Sequence, residues 1–155
     1  MYQTIPIEKI VPAKDNVRRP LTTRPTGVAS IEHDLLATYT KDPYLGGCTK
    51  LVRLSAPRMK QWTSCRDRVA AVSPDGTQVL TFQKLTDGVG PGDIRLRTLD
   101  GTRLATYRTS WFSGWGWESP GTLLLDVNGT VKSSTVRCTL DACENATDPV
   151  RAATP

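Results

Sequence analysis

Few residues of this 155-residue chain belong to the types that carry out chemistry, and their spacing narrows the choice further. His33 is the one histidine, and with Asp34 it reads as a turn pair standing where Asp-Gly is usual. No serine sits in a nucleophile elbow. Asp34, Asp75, Asp100 and Asp126 fall at or beside turn sequences, where an aspartate bonds its own backbone. The cysteines Cys48, Cys65, Cys138 and Cys143 lack the two-residue spacing of a zinc ribbon, so no metal site is expected. The glycine-rich stretch at 85–92 has no following Lys-Ser or Lys-Thr pair and no helix, which makes it an inter-strand loop and not a phosphate cradle. No catalytic residue and no cofactor is expected.

What remains is Trp111-Phe112-Ser113-Gly114-Trp115-Gly116-Trp117. Strict alternation puts Trp111, Trp115 and Trp117 on one strand face and Phe112 on the other, with Gly114 and Gly116 leaving room beside the indoles. Such rings either pack between sheets or present an aromatic platform to a peptide, a sugar or a base. Trp111, Trp115 and Trp117 are therefore the candidate ligand-binding residues.

The elements that position them are strands. Arg68 to Phe82 contains two apolar runs joined by Pro74-Asp75-Gly76, a hairpin signature: Pro74 presets φ, Asp75 bonds its own backbone, and Gly76 supplies a positive φ. The motif returns roughly 45 residues later as Trp117-Glu118-Ser119-Pro120-Gly121-Thr122-Leu123-Leu124-Leu125, an interval typical of propeller blades. A fainter copy, Ala29-Ser30-Ile31-Glu32-His33-Asp34-Leu35-Leu36-Ala37-Thr38, lies upstream. The expected strands are 28–31, 35–39, 49–54 and 59–63, then 69–73, 78–83, 93–98 and 103–107, then 112–117, 122–127, 131–138 and 145–150. Asn128-Gly129 reads as a tight hairpin turn.

Ser73-Pro74-Asp75-Gly76-Thr77 followed by Val79-Leu80, at this period, resembles the repeat of TolB-type β-propellers. The wider pattern Gly46-Gly47-Cys48, Trp62-Thr63-Ser64-Cys65 and Ser73-Pro74-Asp75-Gly76 is similar to actinobacterial members of that group, usually carried outside the membrane on an anchor. The resemblance implies an all-β fold of antiparallel four-stranded propeller-like blades over residues 27–155. About three blades fit, fewer than a closed ring needs, so the propeller is partial or completed by a second copy, as in a dimer. An exported protein implies disulfides, Cys48 with Cys65 across neighbouring strands and Cys138 with Cys143 stapling a turn. The absence of an apolar leader points the other way, towards reduced thiols.

Residues 1–26 are expected to be an edge strand at 5–12 and a linker rich in Thr, Arg and Pro. Ile5-Pro6-Ile7-Glu8-Lys9-Ile10-Val11-Pro12 with Asp15-Asn16-Val17-Arg18-Arg19 is similar to the opening of ParB-type domains, which implies phosphate contacts for Arg18 and Arg19. The helix and further phosphate motifs of that family do not follow. The formal charge of +5 is spread along the chain, and pairs such as Arg95 and Arg97 read as a solvated face. No apolar run is long enough to span a membrane. The leading expectation is a non-enzymatic binding or scaffolding module for a protein or peptide. The alternative is a DNA-associated protein, for which nucleic acid would be the partner, and an enzyme ranks last.

Overall fold

The computed structural model describes residues 22–152. It is an all-β structure of three antiparallel sheets that follow one another in chain order. The first holds β1 (Pro25–Ser30), β2 (Leu35–Tyr39), β3 (Thr49–Arg53) and β4 (Lys60–Ser64). The second holds β5 (Asp67–Val72), β6 (Gln78–Gln83), β7 (Asp93–Thr98) and β8 (Arg103–Arg108). The third holds β9 (Trp111–Ser119), β10 (Thr122–Asn128), β11 (Lys132–Thr139) and β12 (Ala142–Asn145), with the short β13 (Val150–Arg151) beside β12 on the edge of β11. Within each sheet, β13 apart, strands consecutive in sequence pair with each other, as short turns require. Among the described residues no helix is long and apolar enough to cross a membrane.

The three sequence repeats land in equivalent places, at the turns β1–β2, β5–β6 and β9–β10. Ser73 to Thr77 explains why this sequence turns there. Gly76 adopts φ +69°, its amide donates to the Ser73 carbonyl at 2.9 Å, and Ser73 Oγ accepts from the Gln78 amide at 2.9 Å. The Asn128-Gly129 expectation is corrected. Asn128 pairs with Ser133, Gly129 is not among the positive-φ residues, and its amide bonds the Lys132 carbonyl, so the reversal is wider than a two-residue turn.

The second sheet lies between the other two and gives one face to each. Val69 and Val79 join Leu35, Ala37 and Leu51 in one core. Leu80, Phe82, Ile94 and Leu96 join Phe112, Leu123, Leu125 and Cys138 in the other. Because both faces are covered, Val79-Leu80-Thr81-Phe82 is a continuous buried run and not an apolar-polar alternation. At the rim Tyr107 of β8 donates its hydroxyl to the Leu140 carbonyl at 2.9 Å, tying the second sheet to the β11–β12 turn.

The face towards the first sheet is also held by charge. Asp67 is 2% exposed and Arg95 4%. Asp67 accepts from Arg95 at 2.9 Å through one oxygen and from Arg97 at 2.9 Å through the other, while Asp93 takes Arg95's second nitrogen at 2.7 Å. Arg97 further donates to the Gly101 carbonyl at 2.9 Å and lies 5.4 Å from the ring of Trp62 on β4. Gly101, at φ +91°, has no room for a Cβ because Trp62 fills that space. The expected solvated face of Arg95 and Arg97 is thus corrected: both point inwards, because another sheet covers them.

Both disulfides are formed in the expected pairs. Cys48 precedes β3 and Cys65 follows β4, flanking the paired residues Thr49 and Ser64, so the bond fixes the crossing from the first sheet to the second. Cys138 and Cys143 face each other directly on β11 and β12, which begins earlier than the expected fourth strand. β1 starts at Pro25, inside the expected linker, with proline at the first position of an edge strand. The expected strand at 5–12 and Arg18 and Arg19 lie outside the described residues.

Removing Asp67 strands two arginines in the interior. Asp67→Ala should cost about 3–5 kcal/mol in urea unfolding, whereas replacing Asp67, Arg95 and Arg97 together by Leu, Met and Met should cost less. If the triple variant is the weaker, the charges contribute net stability and this account of them fails. Loss of Cys48–Cys65, which closes a 17-residue separation, should cost about 3 kcal/mol, and loss of the shorter Cys138–Cys143 loop less, comparing Cys→Ser pairs in the same assay.

Candidate functional site

The tryptophan strand does not alternate strictly. In β9 Phe112 pairs with Val127, but Gly114 pairs with Asp126 and Trp115 with Leu125, leaving Ser113 unpaired as a bulge. Residues opposite each other share a face, so the bulge shifts the phase. Phe112, Trp115 and Trp117 share the face turned to the second sheet, and Trp111, opposite Asn128, goes to the outer one. This corrects the expected grouping of Trp111, Trp115 and Trp117. A bulge adds no unusual residue type, so alternation alone carries no sign of it. Pro91 and Gly92 of the glycine-rich loop hold the start of β9, accepting at their carbonyls from the amides of Phe112 (2.8 Å) and Thr109 (3.1 Å).

Trp115 meets β6 of the second sheet, and Trp117 packs against the core that the two sheets share. Trp115 lies edge-on to Phe82, ring centroids 5.0 Å apart at 67°. On the same face Arg68, opposite Phe82 in the β5–β6 register, sets its guanidinium 4.6 Å over the Phe82 ring. Arg68 Nε and Trp117 Nε1 are both buried and have no hydrogen-bond partner. Two donors without acceptors in one seam between sheets is unusual, since buried polar groups are nearly always paired. Sequence reading missed Arg68 and Phe82: counting back from the Pro-Asp-Gly turn sets Arg68 opposite Gln83, and only the bulge at Ala70 brings it opposite Phe82.

The outer face of the third sheet is polar and internally satisfied. Arg137 on β11 reaches Glu118 on β9, with one contact at 2.7 Å, and also Glu144 on β12 at 3.4 Å, bridging above Leu124. A groove of about 330 Å³ beside them is lined by residues including Asp126, Asn128, Thr135 and Asp148. Its groups bond one another: Thr135 donates to Asp126 at 2.6 Å, and Asn128 to Ser113 at 2.9 Å. Asp126 was expected at a turn. It lies mid-strand, and its carboxylate occupies the space a Cβ on Gly114 would need.

Asp75 and Asp100 lock their own turns as expected, whereas Asp34 reaches from the β1–β2 turn to the one between β3 and β4. Asp75 accepts from Ser73 Oγ at 2.6 Å, Asp34 from the Ser55 amide at 2.7 Å, and Asp100 from Thr98 Oγ1 and the Thr102 amide. His33 sits at the β1–β2 turn and donates Nε2–H to the Pro74 carbonyl at 2.8 Å, bringing two turns together. Each carboxyl is held below its ordinary value, chiefly by the hydroxyl that donates to it: Ser55 for Asp34, Ser73 for Asp75 and Thr98 for Asp100. Arg137 does the same for Glu118. Burial, and secondly Asp141, pushes the Tyr107 hydroxyl up to about 12. Among the described residues no three His, Cys, Asp or Glu side chains gather as a metal site.

No protein-family model matches the chain, and no curated protein or solved structure matches it.

Carboxyls that titrate lower when folded stabilise the fold above their unfolded values, about 3.8 for the aspartates and 4.5 for Glu118, and lose that contribution as pH falls through the folded values. Stability from denaturant titrations should therefore be level near neutral pH and decline below about pH 4.5. Asp75→Asn should make that decline shallower. An unchanged acid profile would show that the turn bonds do not survive in solution.

Proposed function

We propose that the chain is a non-enzymatic binding module of β-propeller type whose ligand is a protein or peptide segment. Three successive sheets of four or five strands, with the repeat motif at the same turn of each, support the TolB-like blade reading. The blades would stack with β1, β5 and β9 innermost, and β1 packs beside β5. The observation that carries the reading is the seam between the second and third sheets, where Arg68 lies over Phe82, Phe82 meets Trp115, Trp117 packs against the same core, and two buried donors lack acceptors. The groove of the third sheet offers no such unmet bonding, and the turn carboxylates are engaged with hydroxyls and amides and held acidic, which suits general acid-base work near neutral pH poorly.

The DNA-associated reading rests on Arg18 and Arg19, outside the described residues. Within them, Arg95, Arg97 and Arg137 are committed to carboxylates. Completion of a ring by a second copy would need an apolar face, and the third sheet presents Glu118, Arg137 and Glu144 on its outer side.

Selection of displayed random heptapeptides on the folded, oxidised chain should enrich binders that shift the amide resonances of β5 and β9. Shifts confined to β11 and β12 would move the site to the polar groove. Failure to enrich any binder, with duplex DNA held at low salt and released steeply as salt rises, would replace this reading by the DNA-associated one.

A further inference from the structure

We propose that the seam between the second and third sheets recognises a carboxylate, with Arg68 of β5 as its anchor and the Trp117 indole of β9 as a second donor. The inference rests on the reading of that seam as the ligand site and names the group bound there. Among the described residues, the arginines that are not fully exposed are Arg53, Arg68, Arg95, Arg97 and Arg137. Arg53 donates to the His33 carbonyl at 3.2 Å, and Arg95, Arg97 and Arg137 are ion-paired. Arg68 alone has neither a carboxylate nor a carbonyl. It is held by its flat face over Phe82, and the Nε–H on the donor edge of its guanidinium is buried without an acceptor. That edge fits the two oxygens of a carboxylate, and the ring beneath presets its plane.

The seam also selects among anions. Trp115, Trp117, Ala70 and Ala71 pack against the apolar core that contains Phe82, and Arg68 brings one positive charge over that ring. A carboxylate carries one negative charge. A phosphate monoester carries about 1.5 to 2 and is typically met by a cluster of arginines. Since Arg68 Nε and Trp117 Nε1 are both closed to solvent, binding requires β5 and β9 to part slightly. The carboxylate then supplies acceptors that the free protein lacks.

The test follows the indole N–H resonance of Trp117 in the ¹⁵N-labelled chain. The probes are sodium acetate, sodium phosphate, and one heptapeptide with an alanine tail, free of acidic side chains, made with a free or an amidated C-terminus and also with a central glutamate. Acetate and the carboxylate-bearing peptides should shift the resonance saturably, and the amidated peptide without glutamate should bind at least about tenfold more weakly. The free C-terminus and the glutamate distinguish main-chain from side-chain carboxylates as the source. Arg68→Gln should abolish the saturable response, and Arg68→Lys, which keeps the charge but loses the fork, should weaken it about tenfold. Trp117→Phe keeps an aromatic ring without the donor and should weaken peptide binding read at the β5 amides. Peptides that bind at β5 and β9 equally well with Arg68→Gln would overturn the carboxylate anchor while leaving the binding module standing. No binding at β5 or β9 by any probe would overturn both. Phosphate binding in preference to acetate would overturn the choice of anion.

Discussion

Asp67 is the constraint around which the middle of this protein is arranged. It is the first residue of β5, it is buried, and it must satisfy Arg95 and Arg97 of β7 from two strands away. That requirement fixes which face of the second sheet meets the first, because the side chains of β7 alternate. Once Arg95 and Arg97 face Asp67, Ile94 and Leu96 must face the third sheet, where they enter the larger core. A slip of one residue would bury both arginines against Leu123 and Leu125 with nothing to meet them. Buried charge is here a device for register more than a source of stability.

The sequence made the strand elements legible because this fold is built from local pairings. Pro-Asp-Gly at the β5–β6 turn, the repeat of that motif, and the paired cysteines all act within a few residues or between adjacent strands. What escaped notice depended on distance. Arg95 and Arg97 read as solvated because nothing local shows that a second sheet will cover them. The bulge at Ser113 reversed the expected placement of Trp111 and Phe112, since one unpaired residue changes which parity points inwards. Asn128-Gly129 carried the composition of a tight turn, yet the Gly129–Lys132 hydrogen bond set a wider one.

The candidate site was legible only in half. Trp115 and Trp117 stood out by composition, whereas Arg68 looked like one charge among several and Phe82 like an ordinary core residue. Their meaning arises from apposition: a guanidinium against a ring, with an indole N–H on the facing sheet and no acceptor bonded to either buried nitrogen. The turns of Asp34, Asp75 and Asp100 and the groove of Asp126 satisfy their polar groups, whereas Thr38 Oγ1, Thr49 Oγ1 and Gln78 Oε1 share with the seam the lack of a partner; the seam differs in that both of its unmet atoms are donors.

The outer face of the third sheet gives the array of sheets a direction. A further sheet laid on that side would have to bury Glu118, Arg137 and Glu144 against an apolar partner, whereas the faces of the second sheet already show how a repeat is written to receive neighbours. Growth of such a protein by gene duplication is therefore asymmetric. A copied second sheet inserted ahead of the third would meet it with the surface that already receives it, while a copy appended behind the third would set the join against its ion pairs. The polar face works as an end plate, as the terminal units of repeat proteins do.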